Sequence, residues 1–97
     1  MHRQLVTASF ERKWTMQPML RLPATRTATG RGRTSTYEDI KNGLFVPPVR
    51  IGARAVAWPE NEVAAINAAR IAGKSPDDIR ALVAKLVAAR GGAGGPK

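Results

Sequence analysis

The chain has 97 residues, with 16 Lys+Arg against 7 Asp+Glu, a formal net charge of +9 and a pI near 11.4. It has no cysteine and a single His2, which excludes a disulfide framework, a thiolate zinc site, a thiol nucleophile and a His-based triad. Its length allows one small domain of modest burial. A strong positive charge points first to an acidic polymer, most often nucleic acid; charge that only aids solubility is the alternative. No apolar run approaches the roughly 20 residues of a membrane span, so no membrane association is expected.

In chain order, residues 1–19 carry no legible element. The stretch 5–10 is too short and too polar for a secretory signal, and Glu11, Arg12 and Lys13 follow it. A cytoplasmic location is expected. Met16 and Met19 stand as alternative starts, and 1–19 is a dispensable extension, a flexible arm or a folded flank. The first helix is expected over 22–29, with Pro23 in its first turn and Gly30 at its end. A turn at 31–33 leads to a second helix over 33–42, ending at Gly43, with Tyr37, Ile40 and Leu44 as its apolar stripe.

Two short strands follow. Val49 and Ile51 alternate with Arg50, and Val56 and Trp58 alternate with Ala57, around a turn at 52–54. Pro47 and Pro48 belong before the first strand or on an edge. Pro59 opens a third helix, with Glu60 and Glu62 near its positive end and Val63 and Ile66 on one side, running to about Ala72 and stopping at Gly73. The last helix has the fullest signals: Ser75 as cap, Pro76 first, Asp77 and Asp78 in the first turn. Ile79, Leu82, Val83, Leu86 and Val87 follow at i, i+3, i+4, i+7 and i+8. Arg90 falls in the last turn, and a flexible Gly-rich tail is expected over 91–97.

Helix, turn, helix, hairpin, helix is the order of a winged helix-turn-helix. The expected fold is therefore mainly α with a small β-hairpin: a winged helix-turn-helix over 20–73, then a C-terminal amphipathic helix over 74–90. In such a fold the second helix enters the major groove of double-stranded DNA and the wing lies along the backbone or in a minor groove. Seven basic residues against two acidic ones give 20–58 a net charge of +5, and 59–97 carries only +2. Arg31, Arg33, Thr34 and Ser35 open the recognition helix, where guanidinium and hydroxyl groups reach phosphates or base edges. Tyr37 and Lys41 share its exposed flank, with Arg50 and Arg54 in the wing. Set against this, Arg and Ser/Thr beside turns are also ordinary solvated caps.

Trp58 fits the core better than a base-stacking role. Tyr37 stays open between packing and phosphate contact. Glu38 and Asp39 are neighbours that point in different directions, so they are read as solvated or specificity-setting acids. The stripe Ile79, Leu82, Val83, Leu86 and Val87 either packs on its own domain or binds a second copy or another protein. Nothing here supplies a nucleophile, a base and an electrophilic stabiliser together, so no enzymatic activity, cofactor or metal is expected.

Over about 20–90 the chain resembles the AlpA family of phage and mobile-element regulators. The resemblance rests on Leu22-Pro23, Thr29-Gly30, Arg33, the segment from Tyr37 to Ile40, Gly43, Pro48-Val49, Ile51-Gly52, Arg54, Trp58, Glu62-Val63 and Ala69-Arg70. It implies a MerR-like winged helix-turn-helix related to excisionases, binding DNA sequence-specifically without catalysis in a bacterial or phage nucleoid. It also implies either of two roles. One is a recombination directionality factor that binds repeated sites cooperatively, bends DNA and contacts an integrase. The other is a transcription regulator. The recognition helix would start near Arg33, and the wing would include Arg50 and Arg54. The chain departs from the family pattern at Thr25, Arg31 and Asp39, where aliphatics are common, at Gly32, and at Asn67. A thinner apolar core around the first two helices is expected from that.

Overall fold

A computed structural model of the chain describes residues 18–94, with side chains described through Arg90. Most of the expected N-terminal extension, and 95–97 of the expected tail, lie outside the described residues. The elements in order are β1 (Met19–Leu20), α1 (Leu22–Thr29), α2 (Arg33–Lys41), β2 (Val49–Arg50), β3 (Val56–Pro59), α3 (Glu60–Ile71) and α4 (Pro76–Gly94). This is a mainly helical winged helix-turn-helix with a small sheet.

The helix boundaries follow from local chemistry. Gly30, Gly43 and Gly73 take φ of 74°, 78° and 76°, a region that costs an L side chain, and each stands just past a helix end. The Ser75 hydroxyl accepts the Asp78 N–H at 3.1 Å and opens α4. That helix does not stop at Arg90, as the glycine-rich sequence suggests, but continues to Gly94. The turns before it are anchored by packing, and helix propagation adds a bond per residue once nucleated.

The sheet has three antiparallel strands in the order β1-β3-β2, one more than the expected hairpin. Val49 pairs with Ala57 and Arg50 with Val56, while Met19 pairs with Pro59 and Leu20 with Trp58. The Glu60 N–H extends this edge by donating to the Pro18 carbonyl at 2.8 Å. Because β3 is central and contacts both α1 and α3, Ala57 is as buried as Trp58 and does not face solvent. Ile51 lies past the end of β2 and is exposed.

Phe45, Val46, Trp58, Val63, Ile66, Ile79 and Val83 form the core. Trp58 is fully buried, its indole N–H donates to the Val46 carbonyl at 2.9 Å, and its ring lies 6.3 Å from that of Phe45. Burying a side chain of this kind contributes about 2–3 kcal/mol.

The positions that depart from the family pattern carry polar contacts that satisfy them. Thr25 is fully buried and its hydroxyl donates to the Leu20 carbonyl at 3.3 Å. Asn67 donates to the Ala28 carbonyl at 3.0 Å, occupying one of the orphan groups at the end of α1. Arg31 grips Asp39 with two bonds of 3.0 Å, and Arg70 adds a third at 3.2 Å. Asp39 is thus a buried ion-pair node, not the solvated or specificity-setting acid expected from its neighbour Glu38. Thr36 and Asp39 are the buried residues of α2; of the expected apolar stripe, Ile40 and Leu44 pack partly buried against the core and Tyr37 is exposed. The Thr36 hydroxyl donates to the Gly32 carbonyl at 2.7 Å, which makes this polar interior affordable.

Candidate nucleic-acid interface

Helix α2 has Gly32 as its N-cap, so no side chain occupies its first amide groups. Arg33, Thr34, Tyr37, Glu38 and Lys41 line one shallow surface depression, the outward face of the helix. Four of these five are site residues expected from sequence; Glu38 joins them as an exposed acid on the same face. The Arg33 guanidinium carbon lies 6.0 Å from the centroid of the Tyr37 ring, one helical turn away. Of the two roles its sequence left open, the structure shows Tyr37 packing, with part of the side chain left exposed. Its ring meets Trp58 edge-on at 6.2 Å, and its exposure is 39%. The core thus supports the outward face of α2 through Tyr37.

Ser35 is half-buried and sits off that face. Arg31 lies in the turn, beside a second depression it lines with Pro23, Arg26, Thr27, Gly30 and Gly32. Its head is engaged by Asp39, although 44% of its side chain remains exposed. Arg26 and Thr27, which the sequence did not single out, are exposed on the face of α1 beside the turn. In the wing, Arg50 donates to the Ala53 carbonyl at 3.1 Å and so braces the turn. Arg54 is exposed.

The stripe of α4 is turned inward. Ile79 and Val83 are buried in the core, and Leu82, Leu86 and Val87 pack partly buried against it. Removing 75–97 would therefore strip the core as well as any surface on this helix. Among the described residues, no helix is long and apolar enough to cross a membrane.

Charge is sorted by position. Arg31 and Arg70 pair with Asp39, Arg80 with Asp77, and Arg90 with Glu62. Arg21, Arg26, Arg33, Lys41, Arg50 and Arg54 have no acidic partner among the described residues, whereas beyond the wing only Lys74 and Lys85 lack one.

A two-helix unit whose second helix exposes Arg33 and Lys41, followed by a small antiparallel wing, defines a small winged helix-turn-helix protein. The chain belongs to the family of the Prophage CP4-57 regulatory protein (AlpA), whose profile matches residues 18–69. It is also 42% identical over 60 residues, covering 62% of this chain and 68% of the relative, to the Uncharacterized protein ORF88 of Enterobacteria phage P4. No solved structure matches the chain. The family match runs from β1 through most of α3 and ends before α4.

Proposed function

We propose that this chain is a DNA-binding regulator of prophage or mobile-element genes, with α2 in the major groove and the β2–β3 wing on the backbone or in the minor groove. The observation that carries this reading is the concentration of unpaired basic side chains on the helix-turn-helix and wing, while the arginines of α3 and α4 are paired with acids. Arg33, Thr34, Tyr37 and Lys41 face the groove. Ser35 and the open amide groups at the start of α2 take a phosphate, and Arg50 and Arg54 hold the flanking backbone. Arg31 bonds the backbone from the turn with the part of its head that Asp39 leaves exposed.

Within this class, the finer role is that of an excisionase acting on tandem sites beside an integrase. Its support is the size of α2: nine residues span only a few base pairs, so useful affinity calls for repeated sites occupied by several copies. A transcription regulator acting without integrase is the other role.

Electrophoretic mobility and anisotropy measurements on DNA flanking the protein's own gene test the reading. Arg33→Ala, which removes a groove-facing guanidinium, should weaken binding by about 1–3 kcal/mol and relax specificity, and Arg54→Ala, which removes a backbone contact, should weaken binding about equally on all sequences. Equal binding by wild type and both variants would refute the docking. Stepwise cooperative complexes, DNA bending and stimulated excision support the excisionase role; altered transcript levels with no effect on excision support the other.

A further inference from the structure

Residues 42–48 link the recognition helix to the wing without regular structure. Four of their carbonyls are nonetheless taken, by side chains from elsewhere in the fold. The Asn42 carbonyl accepts from Arg80 Nε at 2.9 Å, Leu44 from Arg70 Nη2 at 3.2 Å, Val46 from Trp58 Nε1 at 2.9 Å, and Pro47 from Arg90 Nη2 at 2.8 Å. Each of the three arginines is held in turn by a carboxylate: Arg70 by Asp39 at 3.2 Å, Arg80 by Asp77 at 3.1 Å and Arg90 by Glu62 at 2.6 Å. The linker's amide donors at 42, 43 and 44 go back to α2, and Pro47 and Pro48 have none to offer. Its course is therefore set by these four side chains together with the amide bonds to α2 and the burial of Phe45 and Val46 in the core.

Two of the four, Arg80 and Arg90, come from α4, which lies beyond the family match. They grip the linker at its two ends, where it leaves the recognition helix and just before it enters the wing. Arg90 spends its guanidinium on both oxygens of Glu62, which is 5% exposed, and on the Pro47 carbonyl. This leaves little of it for a phosphate.

We propose that Arg80 and Arg90 are positioning residues for DNA recognition. They fix the wing relative to α2 and thereby set how well the protein distinguishes its site from other DNA. The inference rests on the DNA-binding reading above. Sequence discrimination requires helix and wing to engage together, whereas non-specific binding depends on the positive side chains that meet phosphates, and Arg80 and Arg90 are engaged by carboxylates instead. Loosening the linker should therefore lower specificity while leaving non-specific affinity and its salt dependence unchanged.

The test uses the full chain, a duplex selected from a randomised pool and a scrambled duplex of equal length. Anisotropy gives the ratio of affinities, and hydroxyl-radical footprinting reports wing and helix contacts separately. Arg80→Ala should lower the ratio about 2- to 10-fold, as expected for one hydrogen bond. Arg90→Ala should lower it more than 10-fold, with the wing's protection weakened and the recognition helix's retained. Arg90→Lys, which keeps the charge but cannot span Glu62 and Pro47 together, should not restore it. Arg80→Ala leaves no buried charge unpaired, so it decides the matter if circular dichroism finds Arg90→Ala unfolded. A wild type with no preference for the selected duplex would overturn the DNA-binding reading itself. A discriminating wild type whose folded variants keep the same ratio and footprint would overturn the positioning role alone. So would variants that lose affinity for both duplexes with a shallower salt slope, because that would mark a direct phosphate contact.

Discussion

Replacing Asp39 with alanine should destabilise the protein far more than replacing its nearest partner, Arg31. The Asp39 side chain is 11% exposed, and its carboxylate takes two bonds of 3.0 Å from Arg31 and one of 3.2 Å from Arg70. Its loss leaves two guanidinium groups without a counter-charge in the joint between the turn, α2 and α3. Breaking a buried pair from one side costs about 3–5 kcal/mol. Here the Arg31 and Arg70 side chains are 44% and 28% exposed and recover some hydration, which lowers the expected loss. About 2–3 kcal/mol remains, or roughly 10–20 °C in Tm for a domain of this size. Arg31→Ala leaves Asp39 still paired with Arg70, and its cost should fall to about 0.5–1.5 kcal/mol. Urea unfolding followed by circular dichroism measures both, and a constant m value keeps the comparison valid. Asp39→Ala within about 0.5 kcal/mol of wild type would refute the idea of a buried node. So would an Arg31→Ala variant as unstable as Asp39→Ala.

Three further outcomes follow from single contacts. Trp58→Phe removes the donor to the Val46 carbonyl and leaves space in a fully buried site, so chemical denaturation should find a loss of about 2–3 kcal/mol. Ser75→Ala deletes the cap of α4 and should cost about 1 kcal/mol in thermal unfolding, with Ser75→Asp close to neutral. Gly43→Ala forces a side chain to φ 78°, with Arg80 Cγ 3.5 Å from the new Cβ, and should cost about 1–2 kcal/mol.

The parts of this fold that were legible in the sequence are those with local causes. Ser75-Pro76-Asp77-Asp78 announces a helix start because capping acts within one turn, and Gly30, Gly43 and Gly73 announce helix ends because left-handed backbone suits glycine. The outward face of α2 was legible for the same reason, since Arg33, Tyr37 and Lys41 recur at helical spacing. What escaped depends on distant partners. Met19 and Leu20 have no strand pattern of their own and become β1 only by pairing with Pro59 and Trp58. Asp39 looks like a surface acid until Arg70, 31 residues on, comes beside it. Glu62 reads as a helix N-terminal charge, but its partner Arg90 is 28 residues away. Arg31 carries a charge suited to DNA, yet the fold commits much of it to Asp39. The linker 42–48 offers no periodicity, because its path depends on side chains contributed by β3, α3 and α4 as well as on the burial of its own Phe45 and Val46.

Salt dependence of DNA binding tests the central claim most directly. Six unpaired basic side chains lie on the helix-turn-helix and wing, and about five of them should neutralise phosphates. A plot of log affinity against log salt for a duplex carrying the protein's site should then fall with a slope of about −4 to −5. An Arg50→Ala/Arg54→Ala double variant should bring that slope nearer zero by about 2. A wild-type slope near zero, or a double variant with an unchanged slope, would contradict the claim that α2 and the wing form the DNA-binding surface.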